Sequence, residues 1–166
     1  DWSSDVCSSD LMPRYYVLLP LGALALRERR WTDARGILEG ALGLAEPQVG
    51  GQHPMLVDAR LGLAEVVLAE GNLDVGEAMG QAAVEQLEGA LGAKHAYVAS
   101  ALLRFGRMLI AAGAPQRALP RITRAVELKR ALPSSRPADL ALFELWHARS
   151  QLASSDPAAA VAQMEQ

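Results

Sequence analysis

The sequence predicts an all-α protein built from repeated helical hairpins, and three observations carry that reading. Small and apolar residues recur at a fixed step of 42, alanine takes 30 of the 166 positions while aromatics take eight, and glycine or proline punctuates the chain where one helix would have to stop and another begin. Alanine favours helices, whereas a half-buried sheet draws on β-branched and aromatic residues. Hydrophobic residues at 51% and charged residues at 21% describe a folded chain long enough for one domain. A net charge of -3 leaves no electrostatic footprint for nucleic acid.

The period is legible position by position. Gly22, Ala64, Gly106 and Ala148 share one register, each placed where a helix must come close to its partner. Leu21, Leu63, Phe105 and His147 stand one residue earlier; Leu19, Leu61, Leu103 and Leu145 stand three earlier. Leu26, Leu68, Ile110 and Leu152 follow four residues after the small position, and Ala34, Gly76, Ala118 and Ala160 follow twelve after. Ala41, Ala83 and Ala125 complete the set. Within each unit the spacing follows a helical period of about 3.6 rather than an alternation. Two such stretches per unit are divided at Arg29–Trp31, Gly71–Leu73, Gly113–Pro115 and Ser155–Pro157. Glycine can end a helix and proline can begin one. Longer turns between units carry His53, His95 and Pro137 in one register. The units run about 15–56, 57–98, 99–140 and 141–166, within a repeat domain of 12–166.

These residues resemble the tetratricopeptide repeat family. In the first unit the likeness falls on Leu18, Leu21, Gly22, Ala25, Ala34, Leu38 and Ala41, and in the third on Leu102, Phe105, Gly106, Leu109, Ala118, Ile122 and Ala125. The family's usual step is about 34 residues. The longer unit here is similar to the variety found in kinesin light chains and in many bacterial regulatory proteins. The resemblance implies an α–α superhelix of about three and a half hairpins, a scaffold whose first helices line a concave wall that binds a protein or peptide. It also implies a piece of a larger bacterial signalling or regulatory protein, cytoplasmic, with the array attached to a kinase, transcriptional regulator or ATPase. Arginine outnumbering lysine 14 to 2 fits a GC-rich genome. The chain departs from kinesin-light-chain-like units where those carry paired asparagines: the corresponding pairs are Leu19-Pro20, Leu61-Gly62, Leu103-Arg104 and Leu145-Trp146, and Asn72 is the sole asparagine.

By the same resemblance, ligand-facing positions fall on Leu19, Leu61, Leu103 and Leu145, followed four residues on by Ala23, Glu65, Arg107 and Arg149. The partner-binding candidates are thus Leu61, Glu65, Leu103, Arg104, Arg107, Leu145 and Arg149. Arg104 and Arg107 share a helical face, and guanidinium forks hold carboxylates in pairs. An extended or helical peptide would set apolar anchors on the leucines and acidic groups on the arginines. A plainer reading stands beside it: the leucines are buried between repeats and the arginines pair with Glu65 or Glu144. A second use of the array is homodimerisation through its apolar ends and the face around Trp146.

Catalysis and cofactors find no support. The chain has no Gly-x-Ser-x-Gly elbow, no phosphate loop and no dinucleotide fingerprint after a strand, so no enzyme and no cofactor is expected. Zinc needs three or four converging ligands, whereas His53 and His95 fall in separate loops and His147 on a helix. These loop histidines are expected to brace backbone; a metal-binding or enzymatic module is the less favoured alternative. Residues 1–11, with Trp2 and Cys7, read as translated library adapter and are set aside. The apolar run Tyr15–Leu26 has 12 residues where a membrane span needs about 20. A signal-peptide reading of the same stretch, with Met12 and Arg14 ahead of it, fits less well than a repeat. Pro20 should weaken or kink the first helix, Pro120 should bend the outer helix of unit three tolerably, and Ala158–Gln166 should be less stable than the middle.

Overall fold

The computed structural model describes residues 11–133 and 136–155. Seven α-helices follow one another: α1 (Leu11–Arg27), α2 (Trp31–Val49), α3 (Val57–Ala69), α4 (Leu73–Leu91), α5 (Ala96–Ala111), α6 (Pro115–Ala131) and α7 (Pro137–Ser155). A 3-10 turn, Pro54–Leu56, leads directly into α3. No strand occurs among the described residues, and the fold is all-α, a run of helical hairpins. The adapter-like residues 1–10 and the segment Ala158–Gln166 lie outside the described residues; Leu11 already belongs to α1. The chain divides into two compact bodies, Asp1–Gln86 and Leu87–Gln166, the division falling within α4.

In the first body, the hairpin α1/α2 closes through the predicted small position. A methyl group on Gly22 would lie 2.6 Å from the Leu38 side chain, so glycine is what lets the two helices meet. The same logic runs in reverse at Gly76 on α4, where a methyl would come within 2.6 Å of Leu68 on α3. Ala25, Leu26, Ala34, Leu38, Ala59, Leu63 and Val66 form one buried cluster from α1, α2 and α3. Tyr15, Ala41, Ala45 and Leu56 form a second. The Tyr15 hydroxyl donates to the Met55 carbonyl, tying α1 to the turn ahead of α3. Burial, with Asp58 nearby as the lesser cause, pushes the Tyr15 hydroxyl up to about 12.

Polar ties hold the loops of this body. Arg60 on α3 donates to Glu46 on α2 and to Gln86 on α4, and Gln86 donates in turn to the His53 carbonyl at 2.8 Å. Arg35 meets Glu70 at 2.7 Å across the α2 and α3 ends. Helix α1 continues unbroken through Pro20, which is exposed, as α2 does through Pro47 and α6 through Pro120. On an exposed side, water can take the carbonyl that a proline leaves without its donor.

In the second body, Phe105, Leu109, Ile122 and Val126 are buried where α5 meets α6, and Phe143 of α7 is buried as well. Gly106 repeats the part of Gly22: a methyl there would overlap the Ile122 side chain. Arg121 lies 5.1 Å from the Phe105 ring and Lys129 5.5 Å from the Phe143 ring, so the rim of this core is covered by cations over aromatic faces.

The hairpin turns share one backbone device. Gly71 and Gly113, one period apart, both take positive φ (87° and 77°), and Arg29 holds the same place in the first hairpin at φ 56°. A side chain in that left-handed region is strained, and glycine is not. Arg29→Gly should therefore stabilise the protein by about 1 kcal/mol, read as a raised urea midpoint. Gly106→Ala should cost about 1–2 kcal/mol, because overpacking against Ile122 outweighs the better helix propensity of alanine. Because Tyr15 holds its proton more tightly folded than unfolded, its contribution is full below about pH 10 and fades as pH rises towards 12. Thermal melts of Tyr15→Phe should show a Tm lower at pH 8, by the equivalent of about 1 kcal/mol, and a shallower decline between pH 10 and 12 than the parent protein.

Candidate functional site

The three histidines have structural roles that their positions explain. His53 stands before the 3-10 turn and His95 before α5, both with extended backbone. In each, Nδ1 accepts a hydrogen bond from the amide two residues on, Met55 at 3.3 Å and Tyr97 at 3.1 Å. This is the service an aspartate or serine gives at a helix start, supplied one period apart by histidine. His147 Nε2 lies 3.0 Å from the Thr123 hydroxyl, whose own proton goes to the Leu119 carbonyl. The histidine therefore donates from Nε2. No group of three or more metal-ligating side chains gathers among the described residues.

The candidate partner-binding residues separate into buried and open ones. Leu61 is fully buried and Leu103 nearly so (5% exposed), whereas Leu145 is 63% exposed. Glu65 and Arg104 are half-buried and both engaged in interactions of their own. Arg107 is exposed and Arg149 half-buried. Leu61 and Leu103 are thus core residues in this structure. Glu144, offered as a partner for the arginines, instead meets Arg130 of α6 at 2.9 Å.

The open row on the first helices lies one residue beyond the leucine row. On α5 it comprises Ser100, Arg104 and Arg107; on α7, at the same register, Leu142, Trp146 and Arg149. In the first body the corresponding positions on α1, Tyr16, Pro20 and Ala23, are all exposed, whereas on α3 the row is covered: Gly62 is buried and Asp58 and Glu65 are half-buried. A one-residue step rotates a helix by about 100°, enough to turn a side chain from the core to solvent.

In the second body this row gathers into a cluster. The Arg107 guanidinium sits 4.5 Å from the Trp146 ring centre and that of Arg149 lies 5.2 Å from the same ring. The indole thus joins α5 to α7 and holds two cations. Trp146 is the residue that the leucine-row reading passed over, and the signal that would have found it is the arginine spacing itself: Arg104 and Trp146 are one period apart.

A family model for the tetratricopeptide repeat matches residues 55–131. A search of curated proteins finds no match. No helix among the described residues is long and apolar enough to cross a membrane.

Replacing both loop histidines tests their role as caps. His53→Ala/His95→Ala should lose about 1 kcal/mol per cap in urea unfolding, with the same loss whether zinc or a chelator is present. Zinc-dependent stabilisation of the parent protein that the double variant abolishes would establish a metal role instead.

Proposed function

The chain belongs, over residues 55–131, to the tetratricopeptide repeat family, whose repeats mediate protein–protein interaction, and from that premise we propose that it is a docking scaffold gripping a peptide or partner domain on the concave side of its first helices. The observation that carries this is the open row on α5 and α7, where Arg107, Trp146 and Arg149 stack beside the exposed Leu142. Arginine and tryptophan are among the residue types that dominate binding energy at interfaces. In the second body Leu103 supports such a wall from behind while Arg104 and Leu145 extend it; in the first body Leu61 and Glu65 hold the corresponding positions on α3. The scaffold has no catalytic task of its own, and its setting is a larger bacterial signalling or regulatory protein.

A second reading has its own observation. Tyr16, Val17, Leu21 and Leu24 on α1 are exposed, as are Leu142, Leu145 and Leu152 on α7. Apolar faces of this kind suit self-association, which sedimentation would register as a mass that rises with concentration and falls back in Leu145→Glu/Leu152→Glu.

The scaffold reading is tested by selecting from a display library of random dodecapeptides on the whole chain and measuring the affinity of the enriched sequences. Arg104→Ala/Arg107→Ala/Arg149→Ala should weaken them at least tenfold with far-ultraviolet circular dichroism unchanged. Enrichment without a shared pattern, or equal affinity for the triple variant, would overturn it.

A further inference from the structure

We infer that Arg107, Trp146 and Arg149 form a carboxylate-binding subsite that selects an acidic segment of the partner; this rests on the scaffold reading above and gives it a ligand chemistry. The first ground is what these arginines lack. Arg30, Arg35, Arg60, Arg124, Arg130 and Arg136 each meet a carboxylate within 4.0 Å. Among the described residues Arg107 and Arg149 meet none, and their recorded interactions are with the indole. In a chain with 19 acidic side chains against 16 basic ones, two neighbouring cations with no acid beside them among the described residues favour an anionic ligand.

The second ground is geometry. Both guanidinium centres lie within 5.2 Å of one ring centre, which holds the two charges within about 10 Å of each other, roughly a Debye length at 0.1 M salt. Their mutual repulsion is relieved when an anion comes between or beside them. A guanidinium packed on an aromatic ring still has its in-plane N–H edges free, and it has already lost most of the rotamer freedom that ligand binding would otherwise remove. Two guanidinium forks this close to one another suit two neighbouring carboxylates of one segment.

The third ground is the neighbourhood. Leu142 lies one turn before Trp146 on α7 and is 47% exposed, and Leu145 lies one turn before Arg149. The subsite therefore fits glutamates or aspartates interleaved with leucine-like side chains. A nucleic acid fits poorly, because a chain of net charge -3 lacks the extended basic track that a phosphate backbone requires.

The test uses the whole chain and two fluorescein-labelled hexapeptides, Leu-Glu-Glu-Leu-Asp-Asp with its C-terminus amidated and the same peptide with every acid replaced by its amide. Fluorescence anisotropy should show the acidic peptide binding at least tenfold more tightly at low salt, with the difference shrinking as salt rises. Arg107→Gln/Arg149→Gln should erase that difference. Arg107→Lys/Arg149→Lys, which keeps the charge but not the fork, should fall between. Equal binding of the two peptides to the parent protein would overturn the subsite and leave the scaffold standing. So would no binding of either, with library-selected peptides still held. Tighter binding of a twelve-nucleotide oligothymidylate than of the acidic peptide would overturn it in favour of nucleic acid. Failure of the library selection itself would instead remove the scaffold reading.

Discussion

Where a first helix crosses its second helix, a residue with no side chain faces a branched one, and the hairpins depend on that fit. Gly22 against Leu38 and Gly106 against Ile122 are the same contact made twice, sixteen residues apart in each hairpin. The glycine lets the backbones come close enough for the leucine or isoleucine to fill the space between them, and the filled space excludes water from both faces. In the first body the cluster of Ala25, Leu26, Ala34 and Leu38 builds around that crossing; in the second, Phe105, Leu109 and Ile122 do.

The turns are subordinate to this packing, as Arg29 demonstrates. Its equivalents Gly71 and Gly113 take left-handed φ at little cost, yet the first hairpin closes with the same backbone conformation through an arginine. The conformation is set by the need to return the second helix onto the first, and the residue accepts the strain. The loops ahead of α3 and α5 follow the same economy: His53 and His95 spend their ring nitrogens on the backbone amides that the helix starts leave open.

Much of this was legible in the chain. The helical period, the hairpin breaks and the close-approach glycines follow from local rules, since a 3.6-residue spacing and a glycine or proline at a break mean the same thing in any context. The candidate site was legible only in part. Arg107 and Arg149 emerged from the register, but for the leucine row the register left two readings open, a ligand surface or burial between repeats, and Leu61 and Leu103 are buried. Leu145, in the same register, is open. Three leucines alike in sequence thus sit in two environments, and sequence spacing has no means of separating them, because burial depends on what another helix covers.

The sequence by itself determined the kind of fold: all-α hairpins at a step of 42, with the small residues where helices cross, because backbone preference and side-chain volume act over a few neighbours. Only the tertiary structure decided that the row beside the leucines is open on α1 and covered on α3, and that Arg107 and Arg149 both pack on Trp146. That arrangement joins residues some forty positions apart on two helices, and it depends on the rotation and distance between α5 and α7, quantities that arise from packing and that no local pattern encodes.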